Sequence, residues 1–318
     1  MNAPDATSDG PTDGRDASAW PVGNAPCSWG TIENTGTEAD RIDADRFLDE
    51  VAEAGYAGTE LGDEGFLPSD PDGLRVALDA RGLKLIGGWV TVRLNESDHH
   101  DASAERAVRT ARLLRAVGGE GATVNLGPDH SRIPHRTARA GRIRPEDGLS
   151  EAGWRAFADG AERVARAVRD ATGLRSAFHP HGASWVETPD EIAALLDRTD
   201  PDLVGLCYDS GHVALGGGDP VAVLRRFADR VTLVHLKDFD GTVLGRADDE
   251  GWGYPELVRA GVFPELGRGD VDFPTVLRTL HDVGYRGWTV VEQDVLPGQG
   301  DPLAANARNR AFLKGLGL

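Results

Sequence analysis

The chain has 318 residues, 40% hydrophobic and 27% charged, which suits about two ordinary domains or one large α/β barrel. Its 52 acidic against 34 basic side chains leave a net charge of −18. That balance speaks against a nucleic-acid partner, and no apolar run approaches the ~18–20 residues of a membrane span.

The first 19 residues are rich in Asp, Ser, Thr, Gly and Pro. They have no basic start and no apolar centre, so a disordered tail is expected there rather than a signal peptide. Two cysteines, Cys27 and Cys207, without a CxxC pair, fit a reducing compartment, and a cytoplasmic address is expected. Both cysteines read as small buried hydrophobes.

From residue 20 to 318, short β-type runs alternate with amphipathic helical stretches. A strand is expected at Val22–Ser28, then a helix at Asp43–Gly55 with Phe47, Leu48, Val51 and Ala54 on one face. A second strand, Tyr56–Leu61, precedes a helix opened by Pro71. Strand Leu83–Leu94, a helix from Ala102 to Val117 and strand Ala122–Gly127 follow. The polar, Arg-rich stretch 128–147 is long for a plain connection and, with 240–269, is read as a substrate lid. Helix Glu151–Ala171, strand Leu174–His179, helix Asp190–Leu196 and strand Leu203–Asp209 resume the rhythm. Helix Asp219–Ala228, strand Val231–Leu236, helix Phe273–Val283 and strand Gly287–Glu292 complete it. Eight such alternations with no change of composition predict one α/β domain, a closed (β/α)8 barrel. An open dinucleotide-binding sheet would want a Gly-rich phosphate loop, and neither GxGxxG nor GxxxxGK[ST] occurs.

Polar side chains stand at the expected C-terminal ends of these strands: Cys27–Trp29, Glu60, Trp89, Asn125, His179–His181, Asp209–His212, His235–Asp238 and Glu292–Asp294. A barrel gathers them on one face, where active sites are built. His179, Asp209, His235 and Glu292 supply two imidazoles and two carboxylates, a mixed N/O set suited to Mn, Fe, Co or Zn. A buried His/Asp hydrogen-bond network is the plainer alternative. His181, past Pro180, is expected to touch substrate or donate a proton, and His212 to bond a sugar-like hydroxyl or to face solvent. Lys237 is one of three lysines in the chain. Two residues after His235, it is a candidate acid or base with a lowered pKa beside a cation, or else the partner of Asp238. Glu60 is the remaining carboxylate for proton transfer. Trp29 and Trp89 are candidate walls for a polyol ring, or plain core aromatics, and Asn125 is a candidate substrate contact.

These residues carry a resemblance. FHPHGASWVETPDEI (178–192), DPDLVGLCYDSGH (200–212), GGGDPVAVLRRFADRVTLVHLKD (216–238), RGDVDFPTVLRTLHDVGYRGWTVVEQD (268–294) and GYAGTELG (55–62) resemble the xylose isomerase-like TIM-barrel superfamily. Within it they are most similar to the inosose dehydratases. The resemblance implies one divalent cation, usually Mn or Co, on His179, Asp209, His235 and Glu292. It also implies a small polyol or keto-sugar substrate, and a homo-oligomer as barrels of this superfamily often form. Epimerases of the superfamily place a glutamate where His179 stands, so the paired carboxylates of a two-face proton exchange are absent here. Elimination of water is therefore expected: Glu292 or Lys237 removes an α-proton, and His181 or Glu60 protonates the leaving hydroxyl. Isomerisation, epimerisation or cleavage of C-glycosides of 3-keto sugars would use the same enediolate. A non-catalytic sugar- or metal-sensing barrel would not need these acid–base groups, and a DNA-repair endonuclease would want a basic groove.

Overall fold

The computed structural model describes residues 20–31, 42–129 and 132–318. The expected tail, residues 1–19, lies outside the described residues. Eight parallel strands close into a barrel in chain order: β1 (Val22–Asn24), β2 (Gly58–Glu60), β3 (Lys84–Val92), β4 (Thr123–Pro128), β5 (Arg175–Phe178), β6 (Val204–Asp209), β7 (Val231–Leu236) and β8 (Thr289–Val291). Closure is set by β1, which pairs with β2 through Gly23↔Gly58 and with β8 through Gly23↔Val290. The expected barrel is thus present, with each strand within a few residues of its expected place.

Local chemistry sets where the outer helices begin. Asp70, Thr188, Asp219 and Asp301 each stand before a proline, and their side chains accept backbone N–H groups of the first turn. The carboxylate or hydroxyl satisfies donors with no helical partner, and proline fits the first turn because its missing N–H would be orphaned there. Helix Pro302–Gly315, not expected from the periodicity, packs over the start of the barrel: Asn306 accepts from Asn24 at 2.9 Å and donates to the Ser28 carbonyl at 3.1 Å.

Alternation along the strands builds the interior in layers. Ala177, Cys207, Leu233 and Val290, with Ala25 and Ile86, form a buried apolar cluster inside the barrel. Two residues further along come Asp209 and His235 on β6 and β7, and His179 and Glu292 one residue past β5 and β8, where backbone bonds to Leu126 and Leu236 continue the pairing and the alternation. The donors therefore sit one layer above an apolar floor, at the end of the barrel where such enzymes carry their sites.

One strand ends earlier than expected. β1 stops at Asn24, whose side chain accepts from Ala25 N at 2.7 Å, and Pro26–Trp29 forms a 3-10 turn closed by Gly30 at φ 81°. Pro26 has no N–H to continue a ladder.

The two long connections are not loose flaps. In the described part of 128–147, Arg136 is fully buried and pairs both guanidinium nitrogens with Glu191 at 2.8 Å. Arg142 reaches across to Asp248 and to the Trp252 carbonyl in the 240–269 segment, which folds into three short helices, Gly241–Gly245, Ala247–Glu250 and Tyr254–Arg259. These segments are tied to the barrel and to each other by ion pairs and hydrogen bonds, and the second brings Tyr254 to the cleft. Among the described residues no helix is long and apolar enough to cross a membrane.

Candidate active site

His179 Nε2 lies 3.2 Å from His235 Nδ1 and 3.6 Å from Asp209 Oδ2. His235 Nδ1 is also 3.1 Å from Glu292 Oε1. One ligand atom from each of the four falls within 4.8 Å of the others, and all four residues are buried. Asp209 Oδ1 accepts from His212 N, whereas Oδ2 is buried with no hydrogen-bond partner. An orphaned buried carboxylate oxygen aimed among two imidazoles and a second carboxylate is costly unless a cation completes it. Charge counts the same way: the buried carboxylates of Asp209, Glu292 and Asp294 share one buried ammonium, Lys237, and Glu60 faces the His235 imidazole. The four donors therefore fit a divalent metal, and the mixed N/O set does not single out one element.

The cleft above them is lined by Cys27, Glu60, Asp63, Trp89, His179, His181, Lys237, Tyr254, Glu292 and Asp294 among others. Lys237 Nζ lies 2.9 Å from Asp294 Oδ1, 3.0 Å from Glu292 Oε2 and 3.6 Å from Asp209 Oδ2. Burial works against its charge, but Asp294, Glu292 and Asp209 outweigh it and hold the ammonium well above its ordinary pKa. With no cation beside it the ammonium is thus favoured by its carboxylates, and its expected pairing with Asp238 is corrected. Asp238 instead accepts from the backbone N–H groups of Phe239, Gly267, Arg268, Gly269 and Val271, and so folds the connection between β7 and the last barrel helix. Glu292 is likewise buried against its charge, yet His235 and Lys237 hold its carboxyl well below the usual range.

On the other side of the cleft, Glu60 Oε1 accepts from Asn125 Nδ2 at 2.7 Å and lies 3.6 Å from His235 Nε2. Asn125 is fully buried behind Glu60 and does not line the cleft, so its expected substrate contact is corrected to an orienting one. His181 sits beside Trp89, ring centroids 5.9 Å apart, and its Nε2 is 3.3 Å from the Tyr254 hydroxyl. Tyr254 in turn donates to Asp294 Oδ2 at 3.1 Å. Trp89 lines the cleft, and it can do so because Gly127 lies under the ring: a Cβ there would fall 1.9 Å from the indole.

Two further expectations change. Trp29 is not a wall of the cleft: it is buried, donates to Glu50 Oε2 at 2.8 Å and packs edge-on against Phe47. The early end of β1 turns it into the core. His212 neither faces solvent nor lines the cleft. It is buried under Lys237, 3.1 Å from Nζ, with Nδ1 accepting from Gly182 N, and burial followed by Lys237 drives its pKa well below the ordinary value. Of the cysteines, Cys207 lies in the apolar floor, whereas Cys27 is partly exposed and reaches the cleft near Glu292 and Asp294. Asp294 was expected on this face but given no role, and Tyr254 was not expected there. Asp294 was open to the same two-residue spacing that selected Lys237; Tyr254 comes from an insertion with no periodic signal.

The chain is 41% identical over 259 residues to the rhizopine catabolism protein MocC of Rhizobium meliloti, covering 80% of this chain and 76% of that one. It is 33% identical over 282 residues to an inosose dehydratase of Geobacillus kaustophilus, covering 88% and 89%. The crystal structure of the IOLI protein with a bound zinc atom superposes with a TM-score of 0.68 at 15% identity, over 93% of this chain and 98% of that one, a likeness of fold. Residues 48–315 match the xylose isomerase-like TIM barrel family, and the chain belongs to it.

Proposed function

We propose that the protein is a carbon–oxygen lyase, a metal-dependent dehydratase of a polyhydroxy ketone such as scyllo-inosose. The observation that carries the reading is a cluster of four cation-type donors directly beneath a cleft with unlike proton-transfer groups on its walls. Relatives named inosose dehydratase support the reaction and the substrate class. His179, Asp209, His235 and Glu292 would hold the ion. The chemistry such an ion supplies is Lewis acidity toward the ketone and a neighbouring hydroxyl.

The remaining steps fall to the chain's own side chains. Lys237 is held protonated by three carboxylates and stabilises negative charge developing on the substrate. Glu292 is engaged by His235 and Lys237, one on each oxygen, so neither residue is placed to accept a proton readily. That leaves Glu60, oriented by Asn125, as the base that removes the α-proton. His181, backed by Tyr254 and Asp294, gives a proton to the departing hydroxyl from another wall. Base and acid differ in kind and placement, which suits elimination better than a mirror-related proton exchange.

The test is proton NMR of scyllo-inosose in heavy water with protein and manganese, against a chelated control. Loss of substrate signals with a diketone product appearing is the expected result. Substrate untouched, without even α-proton exchange, would refute the reading.

A further inference from the structure

Glu187 takes no part in the chemistry above, yet its side chain is 1% exposed and fully engaged. Its Oε1 accepts from Gly141 N and its Oε2 from Ala183 N, each at 2.6 Å. Two distant segments thus end on one carboxylate: the 128–147 connection and the turn that leaves β5. That turn carries His181. Ala183 is the only non-glycine among the described residues with positive φ, at 66°, a backbone shape that an L residue keeps only where its surroundings impose it.

The turn is clasped on several sides. His181 N donates to the Val186 carbonyl at 3.0 Å and Ser184 N to the His181 carbonyl at 3.2 Å. Gly182 N donates to His212 Nδ1 at 3.2 Å, and a Cβ at Gly182 would meet the Tyr254 ring at 2.8 Å. The His181 ring itself donates from Nδ1 to the Gly182 carbonyl at 2.7 Å, so any rotation of the 182–183 peptides carries the imidazole with it.

We propose that Glu187 is a positioning residue, its carboxylate fixing the turn 181–184 and with it the place of the His181 ring. The same carboxylate ties that placement to the 128–147 segment through Gly141. The inference rests on the reading of His181 as proton donor, and its test separates the two.

Glu187→Gln keeps the side chain's shape but sets an amide NH2 against one of the two backbone donors. In full-length protein loaded with manganese, E187Q should lower kcat for the dehydration about tenfold or more while leaving KM within about twofold. In an H181Q background the same substitution should add no further loss. In isotope-labelled protein, the His181 imidazole resonance, identified by its disappearance in H181Q, should move in E187Q while that of the exposed His281 stays. Glu187→Asp, too short to reach both donors, should give the same pattern and serves if E187Q does not fold. An unmoved His181 resonance overturns the inference, as does a loss of kcat that persists undiminished in H181Q. Full activity of H181Q overturns the proton-donor reading instead, and the resonance still decides the positioning role.

Discussion

The Lys237 ammonium rests 2.9 Å from Asp294 Oδ1, and this buried pair joins the metal-type donors to the acid–base wall of the cleft. Each member stands two residues beyond a donor, Lys237 after His235 and Asp294 after Glu292, in the extended segments that leave β7 and β8. Lys237→Met would leave the carboxylates of Asp294 and Glu292 without their counter-ion. Losing one partner of a buried pair costs roughly 3–5 kcal/mol, so the metal-free variant should melt well below the parent. The added negative charge attracts a cation, so manganese affinity should hold or rise while turnover falls at least ~100-fold, about the loss of one electrostatic donor. Calorimetric titration of manganese beside turnover checks both signs.

Removing a donor should behave differently. His235→Ala takes away the nitrogen that faces both His179 and Glu292, and Asp209→Ala takes away the orphaned oxygen. Metal binding and activity should vanish together in either variant. Full activity in either one with chelator present would falsify the metal assignment.

Much of this was legible from the chain because inward apolar and inward polar residues alternate at one spacing. Ala177 precedes His179, Cys207 precedes Asp209, Leu233 precedes His235 and Val290 precedes Glu292, each by two residues. The errors lie where that period stops. Trp29 read as a strand-end residue because nothing in VGNAPCS but Pro26 marks the turn that sends it into the core. His212 read as a ligand contact because Lys237, which covers it, lies on another strand. Tyr254 and Glu187 reach the site region from an insertion and a turn, and tertiary packing alone brings them there.

The base and the acid can be separated by isotope exchange. Glu60→Gln keeps the bond to Asn125 within reach but removes the proton acceptor, so it should lose α-proton exchange and dehydration together, by ~100-fold or more. His181→Gln should slow release of water by a similar factor while α-proton exchange into heavy water continues. Exchange lost in H181Q and kept in E60Q would reverse the two roles. The same proton NMR time course reports both quantities.

Glu187 also makes stability depend on pH, with a definite sign. Burial raises its carboxyl pKa to about 7 from an ordinary value of 4.5, against the opposing pull of the Gly141 and Ala183 N–H groups and of Arg136, while Glu191 adds to the rise. Below about 4.5 the group is protonated folded or unfolded, and it contributes no slope. Between about 4.5 and 7 the unfolded chain ionises while the folded one keeps its proton, so rising pH favours unfolding. Above that window the penalty is constant, roughly 3 kcal/mol at about 1.4 kcal/mol per pKa unit. Gln has no such titration. The wild type should therefore lose more stability than E187Q between pH 5 and 7.5, by about 2–3 kcal/mol in denaturant unfolding. Parallel pH profiles for the two proteins would mean that the carboxylate is already ionised at pH 5, held by its two backbone donors.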